Sequence, residues 1–274
     1  MPRPGGPQTA REGLNMFERL RAFLEKHEAE NHLFLGVLDT APEGTLPVLV
    51  EDEGEIAAAC IFVERNAVLA GRADCAAQLV AAWDRDVPGV VARTELAAAW
   101  AAEWARKRGI EPHLAVSQRI YQLDQLIEPR PQAGELRLAE DVEQLTDWIE
   151  GFEQDALAHE RAGREANRAN AVRRVKAGMT YLWVVEGRPV SMAALARPSR
   201  NGVSVNLVYT PPQLRGRGYA STVTAAVSRR GFELGYRFCC LYTDLSNPTS
   251  NSIYMKLGYR PVADSAHYQF KVPV

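Results

Sequence analysis

Apolar positions recur at two spacings along the chain, and the changes between them mark its elements. Met16, Leu20, Phe23 and Leu24 stand three or four apart, which predicts a helix over 15–28. Leu46 to Glu51 and Glu55 to Val63 read as strands around the turn signal Asp52-Glu53-Gly54. Asn66 to Ala70 predicts a third strand. Helical spacing returns over 74–84 and 94–108, where Leu96, Ala99, Trp100 and Trp104 share a face. Leu114 to Leu123 reads as a strand with Ile120 and Tyr121 inward.

Glu128-Pro129-Arg130-Pro131-Gln132-Ala133-Gly134 breaks both patterns. It predicts a domain over 1–128, a linker over 129–134 and a second domain over 135–274. The pattern restarts with the alternating strand 135–139 and a helix over 140–157 that turns Val142, Leu145, Trp148, Ile149 and Phe152 inward. A charged helix over 161–178 follows, then a hairpin of 180–185 with 189–196 around Glu186-Gly187-Arg188. Val203 to Val208 is a strand, 218–234 a helix and 238–242 a buried strand. A short helix over 251–257 and a last strand over 267–272 complete the order β-α-α-β-β-β-α-β-α-β. That is a mixed α/β layer.

Composition narrows the classes. The chain has 274 residues, 46% of them hydrophobic, enough for two domains with packed cores. Its 32 Lys and Arg against 34 Asp and Glu leave a net charge of −2, which gives no support for a nucleic-acid partner. Cys60, Cys75, Cys239 and Cys240 have no metal-ligand spacing, so no metal is expected. Cys239 and Cys240 are vicinal, and neighbours on a strand point to opposite faces. A reduced, cytoplasmic protein fits. Met1 to Pro7 has no signal-peptide core, the first dozen residues read as a frayed tail, and no run approaches the roughly 18 apolar residues of a membrane span. No membrane partner is expected.

Two segments carry chemistry. In the first, the strand ending at Val208 runs through Tyr209-Thr210-Pro211-Pro212 into Arg215-Gly216-Arg217-Gly218-Tyr219-Ala220 and a helix. Small residues at a helix start let a backbone approach an anion, whose charge the exposed N–H groups favour. The loop has neither the Walker nor the Rossmann glycine pattern. By itself it is equally an ordinary strand-to-helix turn. In the second segment, Asn247 can cap a helix entered through Pro248, and Tyr254 lies about two turns on. By itself this is equally a capped helix with a packed tyrosine.

Together the segments resemble the GNAT superfamily of N-acetyltransferases. The resemblance rests on Arg215, Gly218 and Ala220 in an Arg-x-x-Gly-x-Ala loop, and on Asn247, Tyr254, Gly258 and Tyr259 downstream. It spans about half the chain. It implies the acyl-CoA N-acyltransferase fold and acetyl-coenzyme A as co-substrate. It implies a pantetheine edge at Leu207, Val208, Tyr209 and Thr210. The pyrophosphate would rest on Arg215, Gly216, Arg217, Gly218, Tyr219, Ala220 and Ser221, with Asn247 contacting the cofactor. Tyr254 would protonate the leaving thiolate, and a backbone N–H near Val208 would serve the oxyanion. The implied reaction is direct acetyl transfer to a primary amine of a small-molecule or peptide acceptor.

The strand 203–207 has no carboxylate, so the usual base is missing. Asp244 is the alternative base, or equally a cap for the turn at Ser246. Glu153, Asp155, His159 and Asp264 are weaker candidates, and an amine arriving neutral needs none. The missing glutamate also suits a non-catalytic acyl-CoA sensor, and a structural protein that kept the fold is a third reading. The first half echoes the second in outline: Gly89 precedes a helix as Gly218 does, but beside bulky valines. It reads as a degenerate copy of the same fold, giving two tandem copies in a monomer or homodimer.

Overall fold

Glu-Gly dipeptides set the two matching hairpins from which the fold is built. The computed structural model describes residues 7–63, 66–156 and 161–270. Its first repeat runs α1 (Pro7–Glu25), α2 (His32–Thr40), β1 (Val48–Asp52), β2 (Glu55–Val63), β3 (Asn66–Gly71), α3 (Ala76–Ala81), β4 (Gly89–Arg93), α4 (Thr94–Arg108) and β5 (Pro112–Leu123). After β6 (Glu135–Leu138) the same order recurs. It comprises α5 (Val142–Ala156), α6 (Arg164–Ala177), β7 (Thr180–Val185), β8 (Arg188–Ala196), β9 (Gly202–Tyr209), α7 (Tyr219–Glu233), β10 (Phe238–Asp244), α8 (Pro248–Lys256) and β11 (Arg260–Phe270).

The pairing repeats too. β1, β2 and β3 are antiparallel and β3 pairs β4 in parallel, as β7, β8, β9 and β10 do. Glu53 and Gly54 turn the first hairpin at φ 51° and 83°, and Glu186 and Gly187 turn the second at 50° and 76°. Two successive positive φ values give the turn whose twist matches the strands it joins. Order, pairing and turn chemistry therefore agree on two tandem copies.

The chain divides into two compact units, Met1–Gln118 with Ala263–Val274, and Arg119–Val262. The first unit holds β1-β2-β3-β4, most of β11 and the start of β5; the second holds the end of β5 with β10-β9-β8-β7-β6. The closing strand of the second repeat thus joins the first unit. β11 pairs antiparallel with β4 from Ser265↔Arg93 to Gln269↔Gly89. This division differs from the boundary expected at 129–134. That segment lies inside the second unit, and the end of the expected 135–274 domain joins the first. Loop composition marks where the chain turns, not which sheet its last strand enters.

Each sheet is covered on both faces, which is why its central strands are nearly continuous apolar runs. In the second unit Tyr181, Leu195, Val203 and Val205 pack with Val223 and Val227 of α7. On the other face Leu182, Val184, Met192 and Ala194 pack with Leu145 and Ile149 of α5 and Ala171 of α6. In the first unit α1 and α2 cover one face through Leu20, Leu24, Phe34 and Leu35. Trp100 and Trp104 of α4 stack at 5.1 Å on the other.

Helix α1 begins at Pro7, so residues 7–12 are helical where a frayed tail was expected, and β11 begins at Arg260 rather than at 267. Two further elements depart from expectation. Gly89 does not open a helix: it begins β4, because Val90 and Val91 are β-branched residues that favour a strand. A Cβ there would lie 2.3 Å from Asn66 Oδ1 and 2.7 Å from the Tyr268 carbonyl, so close strand packing explains the glycine. The position that corresponds to the Gly218 loop is instead Gly71–Cys75, between β3 and α3. Helix α2 was not expected; its mixed Phe34-Leu35-Gly36-Val37 run has no clean helical period.

Candidate active site

β9 and β10 pair only from Gly202↔Phe238 to Ser204↔Cys240. Beyond that, β9 continues to Tyr209 and β10 to Asp244, so the sheet opens as a wedge at their C-terminal ends. A bulge sharpens the opening. Met192 pairs Tyr209 while Ala194 pairs Asn206, one residue more on β9 than on β8. Leu207 takes φ 54°, an unusual backbone for a branched residue. Val203 and Val205 face α7, but Leu207 and Tyr209 face α5 and α6, and Val208 turns back toward α7. The alternation has slipped by one at Asn206. Its side-chain oxygen is buried without a hydrogen-bond partner among the described residues.

Past the wedge, Ser191 Oγ donates to the Tyr209 carbonyl at 3.0 Å and sits 2.8 Å from Thr210 Oγ1. Pro212–Leu214 forms one 3-10 turn, and the glycine loop follows with Gly216 at φ 76° and Gly218 at φ 85°. Gly218 is the N-cap of α7 and supplies no side-chain cap. Thr222 N–H reaches the Gly218 carbonyl at 3.1 Å, so the N–H groups of Tyr219, Ala220 and Ser221 precede the first intrahelical bond. Pro129, Arg130, Gln132, Gly218, Ser221 and Lys256 line a cavity of about 290 Å³ at this helix start. Sequence reasoning missed Arg130, Gln132 and Lys256, whose only signal was lying in a linker and a helix end.

Arg215 is engaged within the protein. Its Nε donates to the Thr210 carbonyl at 2.9 Å and its guanidinium pairs with Asp155 of α5. It also lies 6.0 Å over the Tyr209 ring. The expected pyrophosphate charge from Arg215 is therefore corrected: it ties the loop to α5. Arg217 reaches only the Gln213 carbonyl, at 3.5 Å. Tyr209 stands edge-on to Trp148 at 6.1 Å, and a Cβ on Gly151 would lie 2.3 Å from its hydroxyl. Burial first, and Asp155 second, raise the Tyr209 phenol above its ordinary value.

On the β10 side, Asn247 caps α8 by accepting from Ser250 N–H at 3.0 Å. The cap spends its oxygen; the exposed side chain keeps its amide nitrogen for another acceptor. Asp244 Oδ1 accepts from Ser246 N–H at 2.7 Å, and its carbonyl receives Asn251 Nδ2 at 2.9 Å. Asp244 thus makes the turn that the alternative reading assigned to it. Tyr254 is buried among aromatics, 6.4 Å from Tyr121 and 5.9 Å from Tyr259 by ring centroids. Burial pushes its phenol up to about 12, so it carries its proton at neutral pH.

The other carboxylates are occupied or elsewhere. Glu153 accepts from Asn167 Nδ2 at 2.8 Å, joining α5 to α6. Asp155 holds Arg215. Asp264 belongs to the first unit, and His159 lies outside the described residues. No cluster among the described residues fits a metal ion, and no helix of theirs is long and apolar enough to cross a membrane.

Known proteins share this fold. Residues 181–268 match the family model of FR47-like proteins. Among solved structures, the chain is similar to a GCN5-related N-acetyltransferase from Kribbella flavida at 17% identity and TM-score 0.59, covering 89% of this chain and 95% of that one. It is similar to a GCN5-related N-acetyltransferase from Sphaerobacter thermophilus at 17% identity and TM-score 0.58, covering 86% and 84%. A Drosophila protein aligns over 99% of this chain and 98% of its own at 14% identity and TM-score 0.65. No curated protein matches the chain. At these identities the likeness is one of fold, and the fold is that of the GNAT superfamily.

Proposed function

We propose that the protein is an N-acetyltransferase that moves acetyl from acetyl-coenzyme A to a primary amine by direct transfer in a ternary complex. The observation that carries this reading is the β9–β10 wedge ending at the uncapped, glycine-opened start of α7. A thioester arm fits a slot edged by backbone at Leu207 to Thr210. A pyrophosphate fits the N–H groups of Tyr219 to Ser221, where any residue with a side chain at Gly218 would intrude. Gly216, Arg217, Ala220, Arg130 and Lys256 surround that position, and the Asn247 amide borders it.

The roles follow from the chemistry of acyl transfer. Holding amine and thioester in line removes most of the entropic barrier. The bulged backbone near Val208 offers an N–H to the developing oxyanion. Tyr254, neutral at working pH, gives its proton to the departing thiolate. Asp244 holds its turn in this reading, so the amine arrives neutral or loses its proton to water. The acceptor reaches Tyr209, Asn206 and Trp148 from the α5 side of the wedge. The four cysteines are free and buried, in keeping with a reducing compartment such as the cytoplasm.

Thiol release from acetyl-coenzyme A, measured over a panel of primary amines, tests this. Turnover on at least one amine is expected. A second reading, an acyl-CoA sensor, is favoured by one observation: no carboxylate lies between Gly202 and Tyr209, and Asp244 is held in its turn. Tight coenzyme A binding with no turnover on any amine selects that reading.

A further inference from the structure

The net charge of −2 hides a strong asymmetry. Between Ala166 and Phe232 stand eleven Arg and Lys against one acidic residue, Glu186. Elsewhere in the second unit arginines find carboxylates. Arg164 meets Glu143, Asp147 and Glu150; Arg229 meets Glu128; Arg260 meets Asp124. Arg173, Arg174 and Arg197 do not. Among the described residues none of the three has a hydrogen bond or ion pair, and Arg174 Nε is buried with no partner. Arg173 and Arg174 lie in the last turns of α6, and Arg197 follows the end of β8.

The end of α6 lies beside the end of β8, where Leu195 N–H bonds the Met179 carbonyl just past the Gly178 cap. Like charges on Arg174, Arg197 and the exposed Arg173 repel one another, and burying Nε unpaired is costly. The effect shows on Arg174: burial first, then Arg197 and Arg173, push it down to about 10. The C-terminal end of a helix favours cations only weakly and gives Nε no partner. The local backbone is strained as well. Arg197 takes φ 48°, a conformation that persists where surrounding structure or function holds it. An oxyanion bound there would pair the Arg174 Nε and offset the repulsion. The guanidinium fork matches an oxyanion in two parallel hydrogen bonds, and neighbouring arginines add charge.

We propose that Arg174, Arg197 and Arg173 form a second anion site, which takes a compact oxyanion such as a phosphate group. It sits beside the turn that enters β9, whereas the wedge opens at that strand's other end. Eight residues of strand separate them, roughly 23 Å at 3.3 Å per residue. The site therefore does not serve the pyrophosphate position at Gly218. The buried Nε favours a small anion in a niche over a polyanion laid across a surface.

Inorganic phosphate titrated at low ionic strength tests the site, in a Gly218→Glu background so that binding at α7 does not contribute. Calorimetry should show saturable binding there. Arg174→Met and Arg197→Gln should each weaken it about tenfold or more, as expected for losing a charge-assisted bond. Arg174→Met should also raise the melting temperature in phosphate-free buffer, because it removes an unpaired buried charge. Unchanged phosphate affinity in both variants overturns the proposal. So does a short DNA duplex that binds more tightly than phosphate and is indifferent to Arg174, which would mark an extended polyanion surface. If the coenzyme reading alone fails, Gly218→Glu behaves as wild type and the arginine variants still lose phosphate.

Discussion

Tyr254 separates packing from catalysis at the scale of one residue. It is buried in an aromatic cluster, so Tyr254→Phe keeps the ring contacts and removes the hydroxyl with its proton and its bond to Ser250. Steady-state kinetics should show kcat falling about tenfold or more with the KM for acetyl-coenzyme A little changed, the range of a general acid. An unchanged kcat removes Tyr254 from the mechanism. Its raised phenol value also links to stability. The neutral form is favoured in the folded state, so that contribution is complete below pH 10.0 and is lost as pH rises through about 12. The melting temperature should fall across that window, less steeply in Tyr254→Phe. Asp244 makes the opposite case. Its bond to Ser246 N–H predicts that Asp244→Asn keeps most activity, since an amide oxygen also accepts. A loss of activity of a hundredfold would restore Asp244 as a base.

The elements show how much the sequence revealed. The second repeat's order was legible because Leu, Val and Ala positions there follow clean periods and Glu186-Gly187 marks its hairpin. The glycine loop was legible because Gly216 and Gly218 answer to positive φ. The bulge at Leu207 was not, since no local residue signals that a branched side chain takes φ 54°. Nor was the role of Arg215, whose partner Asp155 lies sixty positions earlier. β4 was hidden because its partner β11 comes from the far end of the chain. That pairing makes a prediction. Ending the chain at Val262 should deprotect the amides of β4 in hydrogen exchange more than those of β8. If β8 loses protection first, β11 does not complete the first unit's sheet.

Over the whole molecule, two copies of one fold differ at the turn between their third strand and the helix that follows. The second keeps a glycine loop whose N–H groups are open. The first has Asp74 and Cys75 at the matching turn, where Arg72 is already held by Asp52 and Asp74. A carboxylate there repels a phosphate, and its arginine is occupied. The account therefore assigns one coenzyme site to each chain, at Gly218.

Calorimetric titration of coenzyme A into the wild-type chain and into Gly218→Glu, with circular dichroism confirming that both are folded, tests this claim most directly. The account predicts one molecule bound per wild-type chain and binding lost in the variant, because a side chain and a negative charge occupy the pyrophosphate position. Equal affinity in the two proteins, or two molecules bound per wild-type chain, would contradict it.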